Sequence, residues 1–512
     1  MAVLLVASLA ARTPAPQGQP AQRNRPRLVV LVVIDQMRAD YLQHYDASIT
    51  GGFRRLQAGG AVYTHAYYPY ASTETAQGHT TMVTGESPSV SGVVGDTWYD
   101  RGRKTPVTAG DSREHNLIGG APRGGSPEQL LVPTLGDIMK IRSPSSLVMA
   151  TSWKRYCAVL MAGMHGDAAY WFDTTTGQMV TSDYYARVYP AWVGAFSTAD
   201  PTRAYFGKEW LGHKFSTRPA PDAQFRTAVG QSPYGNQMLL DFATQLLANT
   251  QLGQDSVPDF LGVSFSSTDL VGHLYGPFTP ELDDTFLQTD KYLGAFMASL
   301  DARVGAGNWT MALVADHGVA ELVEQVKARG EDAGRINAAA FRTALVKDLT
   351  ARVGPDADRL IEAVETPELY LDYAEATRRG IDAHTLERAV ADIAMKQPGI
   401  AKAFTRSEIM GAAPTSDPLL RAVAEGFYAG RSGDIYVIVK PNYVFYGATG
   451  TTHGTPHEYD AHVPLIFYGS GIAKGIHNER VVINDLTPTL AAVADVQMPA
   501  LPGRVLTDAI RK

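Results

Sequence analysis

Residues 27–35 read RLVVLVVID, seven apolar, largely β-branched side chains in a row closed by an acid. A strand with one wet face would alternate polar and apolar residues. This one needs cover on both faces, the situation inside a parallel sheet wrapped by helices. Similar short runs recur as SLVMATS (146–152), FLGVSFSSTD (260–269), TMALVADHG (310–318) and VPLIFYG (463–469). Between them lie helical patterns such as PYGNQMLLDFATQLLAN (233–249) and LDDTFLQTDKYLGAFMASLDARVG (282–305). The alternation predicts an α/β fold: a central, mostly parallel sheet with helices on both faces. Chemistry in such sheets gathers beyond the carboxyl ends of the strands, and Asp35, Asp269 and Asp316 fall at or just past those ends.

The stretch 338–442 mixes helical AAFRTALVKDLTARVG and DAHTLERAVADIAMKQ with strand-like ELYLDYA and DIYVIVKP, and reads as an α+β insertion. Residues 25–337 and 443–512 would then form the catalytic core. The Gly/Pro-rich segment 98–129 reads as a surface loop near the site mouth. Residues 1–24 hold a short apolar run, small residues at Ala10 and Ala11 and a Pro/Gln-rich linker. Despite the missing basic start this resembles a secretory signal, so a periplasmic or secreted protein is expected, the competing reading being a tail with an apolar patch. No other run is long and apolar enough to span a bilayer. A net charge of −7 gives no reason to expect a nucleic-acid polymer as partner. One cysteine, Cys157, excludes an intrachain disulfide and a Cys-based zinc site.

The residues that carry chemistry are Asp and His. VVIDQ offers Asp35, STDLVGHLYGP offers Asp269 and His273 at i, i+4, VADHG offers Asp316 and His317, and GTTHGTPHEYD offers His453. Singly these are ordinary: an i, i+4 Asp/His pair is more often a helix start with a surface histidine, and His457 and His462 compete with His453. Together, three carboxylates and three imidazoles from four segments suit two divalent ions, zinc most naturally. Two ions about 4 Å apart clamp an attacking and a phosphoryl oxygen and lower the pKa of a bound hydroxyl. The segment YASTETAQGHTTMVTG crowds Ser72, Thr73, Thr75, Thr80 and Thr81 around Gly78-His79 and so supplies candidate hydroxyls.

These segments resemble the alkaline phosphatase superfamily. The likeness is to its monomeric branch of type I phosphodiesterase/nucleotide pyrophosphatase relatives, and within it to bacterial periplasmic alkaline phosphatases with a threonine nucleophile. The likeness rests on VVIDQMRADYL, TETAQGHTTMVTGESPSVSGVVGDTWYD, MAGMHGDAAYWFD, DLVGHLYGPFTPELDDT, VADHGV and THGTPHEYDAHVPLIFYG. It implies that Thr75, four residues before His79, is the nucleophile and that His79 supports it from behind. It further implies one zinc on Asp35, Thr75, Asp316 and His317 and a second on Asp269, His273 and His453. Small phosphate esters are the implied substrates and a monomer the implied state, with Lys154 steadying the phosphate oxygens.

The chain departs from the family's phosphomonoesterases at the phosphate clamp. Where they carry G-N-x-W-Y-D, GDTWYD puts Asp96 in place of the Asn. Where they carry K-D-R-x-A-I-L-P-A-G, WKRYCAVLMAG keeps Lys154 but sets Arg155 at the Asp position and Tyr156 at the Arg position. An ionised carboxylate accepts hydrogen bonds and cannot donate them to phosphate. Two readings stay open: Arg155 pairs with Asp96, or the preferred substrate has moved toward diesters or toward an ester carrying its own cation. Monoester hydrolysis through a phosphothreonine is the expected activity. The alternatives are phosphodiesterase/nucleotide pyrophosphatase-like activity and a catalytically silent binding protein on the same fold.

Overall fold

The structure, a computed structural model, describes residues 25–119, 124–216, 219–412 and 415–511. The signal-like segment 1–24 lies outside them. Strand Leu28–Ile34 is buried at every position and occupies the middle of a nine-stranded sheet. Across the sheet the order is Gly475–Val482, Ala61–Tyr67, His462–Gly469, Trp309–Val314, Leu28–Ile34, Asp259–Phe265, Val148–Ser152, Ala168–Asp173, Gln178–Val180. Leu28–Ile34 pairs in parallel with both of its neighbours, and parallel pairing continues through Val148–Ser152 to Ala168–Asp173. This is the doubly covered sheet that the apolar runs demand, and helices flank it.

Helix boundaries follow their capping residues. Ser232 accepts a hydrogen bond from the Tyr234 N–H with Pro233 next in line, and Thr279 does the same for Leu282 with Pro280 following. A Ser/Thr cap followed by Pro satisfies exposed amides where proline's missing N–H costs nothing.

The structure differs from the sequence reading in three places. The VPLIFYG strand, His462–Gly469, runs antiparallel to both of its neighbours. Beyond it lie Ala61–Tyr67 and Gly475–Val482, which mix buried and exposed positions and carry His, Thr, Glu and Arg, so they give no unbroken apolar run. The Gly/Pro-rich segment is not all surface loop: it forms a hairpin, Thr97–Asp100 with Thr105–Thr108, that buries Trp98 and Val107 against Ala76, Val93 and Leu160.

A second, four-stranded antiparallel sheet orders Ile361–Glu365, Glu368–Leu371, Ile435–Val439 and Ile400–Thr405. It has its own apolar core, including Leu345, Leu349, Leu369, Val390 and Val437. Arg101, on the turn of the hairpin, ties the two regions together through Asp434 at 2.6 Å and Glu362 at 3.4 Å. Among the described residues no helix is long and apolar enough to cross a membrane.

Candidate active site

Each candidate residue reaches one edge of the central sheet by a short local route. Asp35 directly follows strand Leu28–Ile34, and Asp316 and His317 follow Trp309–Val314. Asp269 and His273 share a face of helix Ser267–Tyr275, which starts just after strand Asp259–Phe265. Lys154 immediately precedes helix Arg155–Ala162, which follows strand Val148–Ser152. His453 precedes the antiparallel strand His462–Gly469, whose first residues lie at the same edge as the last residues of its neighbours.

Thr75 is the first residue of helix Thr75–Thr84, which is buried at all ten positions. That burial needs Gly78: a Cβ there would stand 2.7 Å from Asp316 Cα. The missing side chain lets the helix lie against the Asp316 backbone and brings Thr75 Oγ1 to 3.1 Å from His317 Nε2 and 3.3 Å from Lys154 Nζ. Of the other candidate hydroxyls, that of Thr80 is buried with no hydrogen-bond partner among the described residues, and three are occupied elsewhere. Thr73 donates to the Thr455 carbonyl at 2.9 Å, Thr81 to Tyr70 at 3.2 Å and Ser72 to Glu74 at 3.2 Å.

The three histidines are oriented alike. Nδ1 of His273 lies 2.8 Å from the Thr451 carbonyl, that of His317 2.9 Å from the Gly318 carbonyl, and that of His453 2.8 Å from the Thr73 carbonyl. A carbonyl oxygen only accepts, so Nδ1 carries the proton and the Nε2 lone pair of each neutral ring is left for the centre, as for a metal-ligating histidine. Burial and the adjacent imidazoles of His317 and His273 hold His453 well below the ordinary imidazole range, and burial also lowers His317. His273 is raised, because the Asp269 carboxylate outweighs the cost of burial.

The carboxylates outnumber their partners. Ligand atoms of Asp35, Asp316 and His317 lie within 4.8 Å of one another, as do those of Asp269, His317 and His453. His317 is thus shared between two groups, and its ring stacks on His453 with centroids 3.4 Å apart. His273 joins through Nε2, 3.1 Å from Asp269 Oδ1. Lys154 Nζ is 2.7 Å from both Asp35 Oδ2 and Asp269 Oδ2, which sets one ammonium between two buried acids. Its charge is held firmly, since the two aspartates outweigh the cost of burying it. Among the described residues, neither oxygen of Asp35 nor Oδ2 of Asp316 has an aligned hydrogen-bond donor. Burial, together with Asp269 and Asp316, pushes the Asp35 carboxyl well up. Buried anions without donors are costly unless a cation arrives, and this hard, oxygen- and imidazole-rich donor set fits divalent ions.

Two residues that the sequence reading passed over tie the halves together. Gln36 adopts a left-handed backbone, φ 65°, and its N–H donates to Asp316 Oδ1 at 3.0 Å while Nε2 donates to Asp269 Oδ1 at 2.6 Å. A non-glycine residue rarely pays for that conformation without a reason; its place between Asp35 and a turn was the available signal. Glu74 precedes the helix and accepts from the Asp96 N–H at 2.8 Å. Burial and then Asp96 push its carboxyl up to about 8. His79 Nδ1 is 2.9 Å from the Thr75 carbonyl and 3.3 Å from Asp316 Oδ2.

The clamp positions are arranged differently from the expectation for Arg155. Asp96 Oδ1 accepts from the Ala76 N–H at 2.7 Å and Oδ2 from the Tyr156 hydroxyl at 3.2 Å. Asp96 therefore serves as a cap, supplied by the hairpin, on the amide end of the Thr75 helix, where an anion is electrostatically welcome. Arg155 does not pair with Asp96; its stem packs over Gly125 and its guanidinium meets Asp111. The helix turn from Lys154 to Tyr156 points consecutive side chains in different directions, and only Tyr156 comes to Asp96.

Residues 29–462 match the family described as type I phosphodiesterase / nucleotide pyrophosphatase. The chain belongs to this family. Among its relatives are "Alkaline phosphatase PafA" of Elizabethkingia meningoseptica, 32% identical over 95% of each chain, and "Alkaline phosphatase PhoV" of Synechococcus elongatus, 31% identical over 95% of this chain and 93% of that one. The crystal structure of wild-type PafA superposes with a TM-score of 0.88 at 30% identity, covering 95% of this chain and 99% of that one. Murine ectonucleotide pyrophosphatase / phosphodiesterase 5 shares the fold at a TM-score of 0.56 and 13% identity.

Proposed function

We propose that this phosphoric ester hydrolase is a two-zinc phosphomonoesterase that works through a phosphothreonine at Thr75, as an alkaline phosphatase does. The observation that carries the reading is the Thr75 hydroxyl at the amide end of a buried helix, 3.1 Å from His317 Nε2 and 3.3 Å from Lys154 Nζ. Asp35, Asp316 and His317 would hold one ion beside Thr75, and Asp269, His273 and His453 the other. Bound there, zinc would supply the positive charge that lowers the pKa of a hydroxyl and stabilises the phosphoryl oxygens.

The chain's own residues do the rest. Thr75 attacks phosphorus in line, the ester oxygen leaves, and water later cleaves the phosphothreonine with release of phosphate. Lys154 donates to the phosphoryl oxygens, while Gln36 holds Asp269 and Asp316 in register. His79, placed against the Thr75 carbonyl and Asp316, fixes the first turn of the helix. Diester hydrolysis is the second reading, favoured by Asp96 and Tyr156: a dianionic monoester needs more positive charge around its free oxygens than a monoanionic diester does. Export to the periplasm or beyond rests on residues 1–24 alone.

Acid quenching during turnover should leave a phosphate on the Thr75 peptide, readable by mass spectrometry. Thr75→Ala should lose this adduct and at least about 10³-fold in kcat/KM, the scale on which nucleophile and charge stabilisation act. Undiminished turnover in Thr75→Ala would remove the nucleophile assignment.

A further inference from the structure

Next to the candidate active site lies a cavity of about 250 Å³. His273, His453, Glu74 and Asp96 are among the residues that line it. The remaining wall comes from the second sheet and its flanks, where Pro367, Val437, Val439 and Phe445 present apolar surface. Among the described residues no lysine or arginine lines the space. The cavity is smaller than the roughly 300–1,000 Å³ that accommodates drug-sized ligands, so it takes a group of about one ring.

Its two carboxyls are held in place and keep acceptor capacity. Among the described residues Glu74 Oε1 accepts from Ser72, at 3.2 Å, and Oε2 from the Asp96 N–H, at 2.8 Å. Asp96 spends one acceptance on Ala76 and one on Tyr156. A carboxyl keeps acceptor lone pairs whether ionised or protonated, so each side chain can still receive a donor from the cavity. A second phosphate in this space would meet two acidic side chains and, among the described residues, no cation, whereas an ammonium would find acceptors beside apolar surface.

We propose that this cavity binds the alcohol part of the substrate and selects phosphate esters of compact, ring-sized alcohols that carry an ammonium group. The inference rests on the phosphohydrolase reading and deepens it: His273 and His453 place the phosphoryl group at the cavity mouth, and the alcohol leaves into the cavity. The apolar wall belongs to the second sheet, so that region sets specificity, while the central sheet carries the chemistry.

The test uses the full chain with zinc and three aryl phosphates of similar size: 4-(aminomethyl)phenyl, 4-(hydroxymethyl)phenyl and 4-(carboxymethyl)phenyl phosphate. The expected order of kcat/KM is ammonium, neutral, carboxylate, each step about tenfold for one charge interaction inside a partly desolvated space. Asp96→Asn, which keeps an oxygen for the Ala76 amide, should shrink the ammonium/neutral ratio toward one, and Glu74→Gln should do so independently. Because the readout is a ratio within one protein, a general loss of activity in either variant does not mask it. Hydrolysis of all three esters at similar kcat/KM would overturn the subsite while leaving the phosphohydrolase reading intact. An unchanged ratio in both variants would overturn the role of the two carboxyls. Hydrolysis of none would bring down the underlying reading and this inference together.

Discussion

Two neighbouring regions of the site treat their acids in opposite ways. At the sheet edge, Asp35 and Asp269 are buried against one ammonium, and Asp35 has no aligned donor at either oxygen. Some 20 residues after Thr75, Asp96 is satisfied from both sides by the Ala76 amide and the Tyr156 hydroxyl. The first arrangement leaves buried acid oxygens short of donors for an incoming cation, whereas in the second internal donors close off part of the carboxylate and fix its position. An acid short of aligned donors in the folded chain marks where a metal belongs; an acid held by internal donors marks where the chain has fixed a carboxyl in one orientation.

The largest test of that contrast is on stability. Free zinc at about a thousand times its Kd should stabilise the wild type by about 4 kcal/mol, simply by binding the native state. Asp35→Asn should lose most of this gain, and with chelator present it should be no less stable than the wild type. A chelated variant far less stable than the chelated wild type would mean that Asp35 is well satisfied without metal.

Asp460 supplies an intermediate case, a buried acid near the site whose Oδ2 takes both the N–H and the hydroxyl of Thr455, at 3.0 and 2.6 Å. Burial pushes it from near 3.8 up to about 8. The folded state then keeps a proton that the unfolded chain releases, so stability is full below about pH 4, falls as pH rises, and levels off above about 8. Asp460→Asn should remove that slope and leave the protein about 2 kcal/mol more stable at pH 8, within the cost range of one buried polar group. Urea titrations across this pH range read it directly, and a slope kept by the variant would assign it to other groups.

At the closed end, Asp96→Asn with Tyr156→Arg should raise the ratio of monoester to diester kcat/KM by about tenfold, equivalent to about 1.4 kcal/mol. A ratio that stays put would separate the clamp from substrate charge. The smallest effect belongs to Arg155→Ala: its pairing with half-exposed Asp111 is worth less than about 1 kcal/mol. Since it does not touch Asp96, the monoester/diester ratio should not move. A change in that ratio would show that Arg155 reaches the substrate after all.

Most of the site's cast was legible because each member is announced by its immediate neighbours. An acid ending a β-branched run, an i, i+4 pair entering a helix and a Gly-His after hydroxyls are all local patterns, and secondary structure is set locally. The same locality misled where neighbours were mixed. Ala61–Tyr67 and Gly475–Val482 were not seen as sheet strands, since polar residues interrupt them, and Trp98 was counted as loop because Gly and Pro surround it. Arg155 looked the natural partner for Asp96 on charge alone; helix geometry sent it to Asp111 and brought a tyrosine instead.

Sequence by itself determined the α/β class, the ends of the central strands and which Asp, His and Thr residues stand there, because burial on two faces and capping leave few choices over a handful of residues. Only the tertiary structure decided who meets whom. It ran His462–Gly469 against its neighbours, shared His317 between two groups, put Gln36 across both and turned Asp96 into a helix cap. Those contacts join segments tens to hundreds of residues apart, and packing and hydrogen-bond satisfaction, which no local pattern records, select among them.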